Sequence, residues 1–229
     1  MKTSKNTRLE IIYRDFLAIS GWLSLISCSL LGARIISTMS LSYGFLVWNV
    51  FLAWLPALLA WKIIRYHDKN SLRPTVILWI IAWVLFLPNT FYIVSDFIHL
   101  HTVGGASKLF DAALLFAFSL TGFLLGIASL AVVHSWLNTY IKKRNSGILI
   151  GGVILLSSFA IYLGRYQRWN SWDIIFNPLG ILFDISDRII HPTSHPETFT
   201  TTLLFFILIG GVYACVYYMV HRIARRMSL

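Results

Sequence analysis

The chain has 229 residues, of which 57% are hydrophobic before its 14 glycines are counted and only 12% are charged. Soluble domains carry about 25% charged residues, so this composition excludes a soluble globular domain, an intrinsically disordered chain and a disulfide-rich secreted scaffold. The sequence instead predicts an all-α, polytopic helical membrane protein.

Six uncharged windows are long enough to cross a bilayer as helices. A transmembrane helix needs about 20 apolar residues, and a charge at mid-bilayer costs at least ~2.5–3.5 kcal/mol. The windows lack the alternating polarity of barrel strands. Since neither an internal repeat nor a long linker is present, we interpret residues 1–229 as a single integral membrane domain. The predicted spans are approximately 16–36, 43–62, 74–95, 111–137, 146–164 and 198–221.

Prolines modify this simple pattern of spans. Pro56 and Pro88 lie inside or near the ends of spans, where they should bend the helix and free carbonyls that neighbours must satisfy. A seventh uncharged window, 174–183, has only 10 residues and contains Pro178 and Gly180. Because it is too short to span, we predict a short interfacial or re-entrant segment on the outer side.

The distribution of Lys and Arg predicts the orientation of the chain. Of the 19 basic residues, 14 fall on the side that carries both termini and five on the other. The positive-inside rule then places both termini in the cytoplasm. Because the net charge of +10 is mostly this topology signal, we predict the phospholipid bilayer as partner and no nucleic acid.

The two cysteines, Cys28 and Cys215, both lie within apolar spans and are interpreted as packing residues. The run that ends at Cys28 resembles a bacterial lipoprotein processing box. Glu10 and Asp15 interrupt the basic leader and the apolar run continues past the cysteine. Lipidation of Cys28 is therefore the less favoured alternative.

The third span ends in polar residues at helical spacing. If the helix continues past Pro88, the side chains of Asn89, Tyr92, Asp96 and His99 point within roughly 80° of one another. Such a stripe on a membrane helix should face protein or water. It is interpreted either as one wall of an outward-facing site, with Asp96 and His99 as candidate catalytic residues, or as a polar helix end that pairs with a neighbouring helix.

A second polar motif, residues 164–173, closes the fifth span. Arg165 and Arg168 are three residues apart and could share a face that binds phosphate or carboxylate. Tryptophans in the motif suit the headgroup level of a membrane, and such Arg–Trp pairs also commonly mark the water end of a span. The candidate ligand-binding residues of both motifs are Asn89, Tyr92, Arg165, Arg168, Asn170, Trp172 and Asp173.

Carboxylates on the same side are the available partners for these arginines. They are Asp96, Asp173, Asp184 and Asp187. Asp184 and Arg188 have helical i, i+4 spacing and are expected to satisfy each other. We predict that Asp96 lies near Arg165 or Arg168, because mutual pairing offsets the lost hydration of both charges. The two motifs would then form one polar pocket.

The sequence identifies no cofactor and predicts no metal site. His99, His101, His191 and His195 share the outer side but lack a recognisable zinc spacing. Nucleotide-binding glycine patterns and the Gly-x-Ser-x-Gly motif are absent, and no window carries the mid-span acid of a charge-coupled transporter. Whether the chain is an enzyme stays open.

The two motifs together resemble a bacterial multi-pass membrane family catalogued as domain of unknown function 1361. The resemblance covers roughly residues 43–190 and rests on several uncommon residues in fixed order. It implies a bacterial cytoplasmic membrane and marks these residues as the family's signature, but it supplies no activity and no residue role. The residues that carry it are Leu87-Pro88-Asn89, Tyr92, Asp96, His99-Leu100, Gly164-Arg165 and Arg168-Trp169-Asn170-Ser171-Trp172-Asp173.

Two classes of function stay open from the sequence. In the first, the outer polar residues bind or process an anionic headgroup or a lipid-linked substrate. In the second, the protein is a non-catalytic membrane subunit or assembly factor whose outer polar rim docks a membrane protein partner. Gly122 and Gly126 have GxxxG spacing in the fourth span, which suits internal packing or a partner helix.

Overall fold

The computed structural model describes residues 2–66, 73–101 and 107–227. Throughout these ranges the regular structure is helical, which confirms the all-α class. The α-helices are α1 (Lys2–Thr38), α2 (Phe45–Ile64), α3 (Pro74–Phe86), α4 (Pro88–Tyr92), α5 (Lys108–Leu137), α6 (Lys143–Tyr166), α7 (Asp173–Phe176), α8 (Pro178–Ile190) and α9 (Pro196–Met227). Two 3-10 helices, Ile93–His101 and Pro192–Ser194, follow α4 and α8.

Six helical stretches within the described ranges are long and apolar enough to cross a membrane, as predicted. They are Leu9–Thr38, Phe45–Ile64, Pro74–Leu100, Lys108–Leu137, Lys143–Tyr166 and Pro196–Val220. α1 begins well before the predicted span, because Arg14 and Asp15 end the apolar run without interrupting helical hydrogen bonds. Pro56 lies inside α2 and does not divide it.

Pro88 interrupts the third span and changes its hydrogen bonding. α3 ends at Phe86 and α4 begins at Pro88, since proline has no N–H to donate to the preceding turn. The backbone N–H of Thr90 donates to the Leu87 carbonyl at 3.1 Å. The carbonyl of Phe86 instead accepts from the Asn89 side chain, at 3.0 Å. The Asn89 side chain therefore satisfies a carbonyl near the proline.

Two compact units divide the chain, Met1–Ser146 and Gly147–Leu229. In the first unit α5 is the most buried of the spans, and it packs against α1, α2 and α4. In the second unit α8 lies between α6 and α9 along the chain. The single-domain interpretation stays a prediction.

Gly122 and Gly126 allow α5 to approach α4 closely. A Cβ atom on Gly122 would lie 2.7 Å from the carbonyl oxygen of Thr90 and 2.8 Å from Cδ1 of Ile93. On Gly126 it would lie 2.5 Å from Cζ of Phe91. These distances leave no space for a side chain, so the GxxxG face serves packing within the first unit.

The segment predicted not to span forms α7 and α8, whose lengths are 4 and 13 residues. At ~1.5 Å per residue, α8 extends about 20 Å, which is less than the ~30 Å of hydrocarbon. Asn177 caps α8, because its side-chain oxygen accepts from the backbone N–H of Gly180 at 3.1 Å. The segment therefore does not cross on its own, as predicted; its location at a membrane interface stays a prediction.

Candidate functional site

The first motif lies on two helix types rather than on one continuous α-helix. Asn89 and Tyr92 belong to α4, whereas Asp96 and His99 belong to the 3-10 helix Ile93–His101. Because a 3-10 helix has about three residues per turn, side chains three apart lie above one another. Asp96 and His99 therefore share a face, while the stripe calculated for one α-helix does not extend across all four residues.

Two serine side chains accompany the change to the 3-10 helix. The hydroxyl of Ser95 donates to the Tyr92 carbonyl at 2.6 Å, and the hydroxyl of Ser119 donates to the Ile93 carbonyl at 3.1 Å. In a continuous α-helix both carbonyls would accept from backbone N–H groups four residues later. The side chains satisfy these carbonyls and so stabilise the tighter helix.

Asp96 is buried and accepts a hydrogen bond from Nδ2 of Asn49 at 2.8 Å. Asn49 lies on α2 and was missed in the sequence analysis. Its signal was present, because it is the single amide side chain in the predicted span 43–62. A buried carboxylate needs hydrogen-bond donors to offset its lost hydration, and an intramembrane amide is such a donor.

His99 lies against the start of α2. Its ring meets the Phe45 ring edge-on, with centroids 5.3 Å apart. Its backbone carbonyl accepts from the hydroxyl of Tyr43 at 3.2 Å. These contacts hold the imidazole, which is half-buried, on the same 3-10 face as Asp96.

A buried ion pair between Arg34 and Asp111 lies in the same unit and was also missed. Nε of Arg34 lies 2.6 Å from Oδ1 of Asp111, and Nη2 lies 3.2 Å from Oδ2. The guanidinium carbon is 4.5 Å from the centroid of the Tyr43 ring. Burial raises the pKa of Tyr43, with the Asp111 carboxylate raising it further and Arg34 opposing both. Tyr43 is therefore a neutral donor that joins the ion pair to His99.

The second motif contains a strained residue at the end of α6. Arg168 has a positive φ of 61°, in the left-handed region that favours glycine. The backbone N–H groups of Gln167 and Trp169 both donate to the Leu163 carbonyl, at 3.0 and 3.2 Å. The Arg168 side chain is exposed and makes no ion pair or hydrogen bond with another described residue.

Asp184 ties the second motif to α8. Its Oδ2 accepts from Nε1 of Trp169 at 2.7 Å, and its Oδ1 lies 3.6 Å from Nη1 of Arg188. Nη1 of Arg188 also donates to the Asp184 carbonyl at 2.5 Å, and Nε donates to the Tyr162 hydroxyl at 3.1 Å. The predicted pairing of Asp184 with Arg188 is confirmed.

The remaining residues of the second motif form a local turn before α7. One carboxylate oxygen of Asp173 accepts from the backbone N–H of Asn170 at 2.6 Å and from its Nδ2 at 3.4 Å. Trp172 precedes α7 and is half-buried, as is Arg165 at the end of α6. Asn170 and Asp173 therefore pair with each other, which fixes the backbone after Arg168.

Two of the histidines predicted on the outer side cluster on a carboxylate. His191 and His195 bind the two oxygens of Asp187 at 3.0 and 2.8 Å. The hydrogen bond from His191, followed by that from His195, lowers the pKa of Asp187. Within the described residues, no group of three His, Cys, Asp or Glu side chains has an arrangement that could hold a metal ion. The side chain of His101 lies outside the described residues.

The candidate site residues thus fall into two groups. Asn89, Tyr92, Asp96 and His99 belong to the first unit, and Arg165 to Asp173 belong to the second. The predicted approach of Asp96 to Arg165 or Arg168 joins residues of different units and stays a prediction.

The profile of a family described as a protein of unknown function, DUF1361, matches residues 48–212. The matched region covers more than half of the chain and contains both motifs, Asn49 and Asp111. The chain belongs to this family. No curated protein and no solved structure gives a significant match to this DUF1361 chain.

Proposed function

We propose that this DUF1361 protein binds the anionic headgroup of a membrane lipid or lipid-linked molecule, and that Arg168 is the principal contact. The observation that carries the proposal is the left-handed backbone of this exposed arginine. A residue other than glycine in this region costs roughly 1–2 kcal/mol. Such strain persists at positions where the side chain has a use, and headgroup binding supplies one.

The neighbours of Arg168 support an anion as the ligand. A guanidinium offers paired N–H donors to phosphate or carboxylate oxygens. Arg165 lies three residues before it, in the last turn of α6, and Trp172 follows it with a ring that suits the headgroup level. The Asn170–Asp173 pair holds the turn in place. We assign Arg165 and Trp172 to direct ligand contact. We assign Asn170 and Asp173 to ligand contact through those of their polar atoms that take no part in the hydrogen bonds between them.

The first motif is proposed as a second polar site, within the first unit. Asp96 and His99 share one face of the 3-10 helix and would place a proton or a cation near a group bound at this site. Asn89 and Tyr92 would supply neutral hydrogen-bond donors and acceptors. We propose a bacterial cytoplasmic membrane location with both termini cytoplasmic, which puts both motifs on the outer side.

Replacing Arg168 with glycine separates function from strain. Because glycine adopts positive φ without cost, Arg168→Gly should match or exceed the thermal stability of the wild type in neutral detergent. It should lose the extra stabilisation that short-chain phosphatidylglycerol gives over phosphatidylcholine of the same chain length. The measurement is the shift in Tm with each lipid.

The matched control is Arg144→Gln, which removes another exposed arginine near the opposite end of α6. This variant should keep the preference for phosphatidylglycerol. If Arg168→Gly also keeps the preference, the headgroup proposal is wrong. A loss of association with a membrane protein partner, with the lipid preference intact, would instead support the docking function.

A further inference from the structure

The second unit contains an apolar groove between α6, α8 and α9. Its volume is about 410 Å³, within the ~300–1,000 Å³ range of small-molecule sites. α6 and α9 are both long and apolar enough to cross a membrane, so the groove opens where lipid chains are present. The apolar walls include Leu155, Phe159, Ile189, Phe199, Leu203 and Phe206.

Two buried hydroxyl groups at this groove have no hydrogen-bond partner among the described residues. Thr198 and Thr202 both line the groove, and the Oγ1 atom of each is buried without a hydrogen bond to another described residue. Their i, i+4 spacing places them on one face of α9. Thr200, which lies between them in sequence, instead donates to the Pro196 carbonyl at 3.0 Å. The wall of the groove therefore holds two donors whose missing acceptor a bound molecule could supply.

The charge of the groove indicates an uncharged acceptor. Arg188 also lines it and is only 5% exposed, but Asp184 lies 3.6 Å from its Nη1. A second anion would therefore meet a cation that is already paired. A carbonyl oxygen joined to a hydrocarbon chain matches both the hydroxyl donors and the apolar walls.

We propose that this groove binds one acyl chain of a membrane phospholipid, whose ester carbonyl accepts hydrogen bonds from Thr198 and Thr202. The site goes beyond the headgroup function proposed above, because it uses none of the residues assigned there. Either proposal can therefore fail without the other.

The first test locates the chain by photolabelling. The full-length protein is reconstituted in phosphatidylcholine vesicles that contain a trace of phosphatidylcholine with a diazirine in one acyl chain. After irradiation, the labelled residues are mapped by mass spectrometry. We expect label concentrated on the groove faces of α6 and α9.

A pair of adjacent variants tests whether the groove itself holds the chain. Leu203→Trp fills the groove and should lower this labelling several-fold. Leu204→Trp, at the next residue, which is exposed to a similar extent (63% against 58%), lies outside the lining and should leave it unchanged. Labelling spread evenly over α6 and α9 and insensitive to Leu203→Trp would mean surrounding lipid only, and would overturn the proposal.

A second pair of variants tests the hydroxyl groups. The double variant Thr198→Val/Thr202→Val keeps the side-chain shape but removes both donors. The wild type should be labelled more strongly by the ester-linked lipid than by an ether-linked analogue, which lacks the carbonyl. The double variant should lose this difference, and Thr200→Val should keep it. An unchanged difference in a double variant whose folding and thermal stability match the wild type would refute the assigned carbonyl contact.

Discussion

Arg34 shows how strongly one buried charge depends on one partner. Asp111 meets it through both carboxylate oxygens, while Nη1 of Arg34 has no acceptor among the described residues. Taking a guanidinium out of water costs several kcal/mol, and only close pairing offsets that cost. The pair therefore fixes the end of α1 against the start of α5.

Removing the carboxylate should be far more harmful than removing both charges. We expect Asp111→Asn to destabilise the protein by about 3–5 kcal/mol, since it leaves an uncompensated buried cation. The double variant Arg34→Met/Asp111→Leu should recover most of this loss. The measurement is unfolding of the detergent-solubilised protein by a denaturing detergent.

The exposed pair Arg14–Asp15, with 3.5 Å between its charged atoms, provides the control. Asp15→Asn should cost no more than about 1 kcal/mol, because exposed ion pairs contribute little. An effect of Asp111→Asn as small as that of Asp15→Asn would contradict a structural role for the buried pair.

The missed ion pair also shows what sequence spacing leaves undetermined. Arg34 and Asp111 each stand at the end of an uncharged window, so the sequence placed both charges at the same predicted end of the bundle. They are 77 residues apart, and helical periodicity does not specify which neighbouring helices face each other. The i, i+4 pair Asp184–Arg188 was predictable because one helix carries both residues.

At the level of elements, the contact between α4 and α5 depends on glycine. Gly126→Ala places a methyl group 2.5 Å from Cζ of Phe91. Overpacking of this kind typically costs ~1–3 kcal/mol, so we expect a clear fall in the Tm of the purified protein. Gly122→Ala should behave in the same way, because it meets a backbone carbonyl.

Gly151→Ala is the matched control for these substitutions. A Cβ on Gly151 meets nothing within 4 Å, and alanine is favoured over glycine in a helix interior by up to ~1 kcal/mol. This variant should keep or raise the Tm. If Gly126→Ala is as harmless as Gly151→Ala, the close approach of α4 and α5 is wrong.

The elements themselves were predictable to different degrees. The number and approximate position of the spans follow from the uncharged windows, because the hydrocarbon excludes unpaired charges. The start of α1 could not be predicted in this way, because charged residues such as Asp15 mark the end of the apolar run but do not end the helix. The 3-10 helix after Tyr92 did not follow either, because Ser119 on another helix helps to satisfy its carbonyls.

For the whole molecule, the orientation can be tested by cysteine labelling from outside the cell. After Cys28 and Cys215 are replaced by alanine, a cysteine introduced at Ser107 or Thr193 should react with an impermeant maleimide. These two positions are exposed and lie on the predicted outer side. Their reaction would support the outward orientation derived from the basic residues.

Cysteines on the predicted cytoplasmic side should react only after the membrane is permeabilised. Asn70 and Ser146 were the positions that the sequence suggested; Asn70 lies outside the described residues. Ser146 is buried and bonded to Asn138 at 2.6 Å, so the exposed neighbour Asn145 is the better probe. Labelling at position 145 but not at position 107 in intact cells would show that the predicted orientation is inverted.

The division into two compact units was not predictable from composition. The sequence analysis looked for linkers, and the boundary falls instead inside α6, between Ser146 and Gly147. The polar run Lys142-Lys143-Arg144-Asn145-Ser146 ends at this boundary, but the sequence predicted only a connection between two spans there and not the border of a structural unit. The candidate site residues were predictable as motifs, but their assignment to different units was not.

The nine-residue 3-10 helix Ile93–His101 is longer than the three or four residues usual for this helix type. It rises ~2.0 Å per residue, against ~1.5 Å in an α-helix, so conversion to α-helix would shorten the segment by about 4–5 Å. Over three residues the same conversion would rotate His99 by about 60° relative to Asp96. In this segment a change in length and a change in the relative direction of these two side chains are therefore coupled, because one conversion produces both.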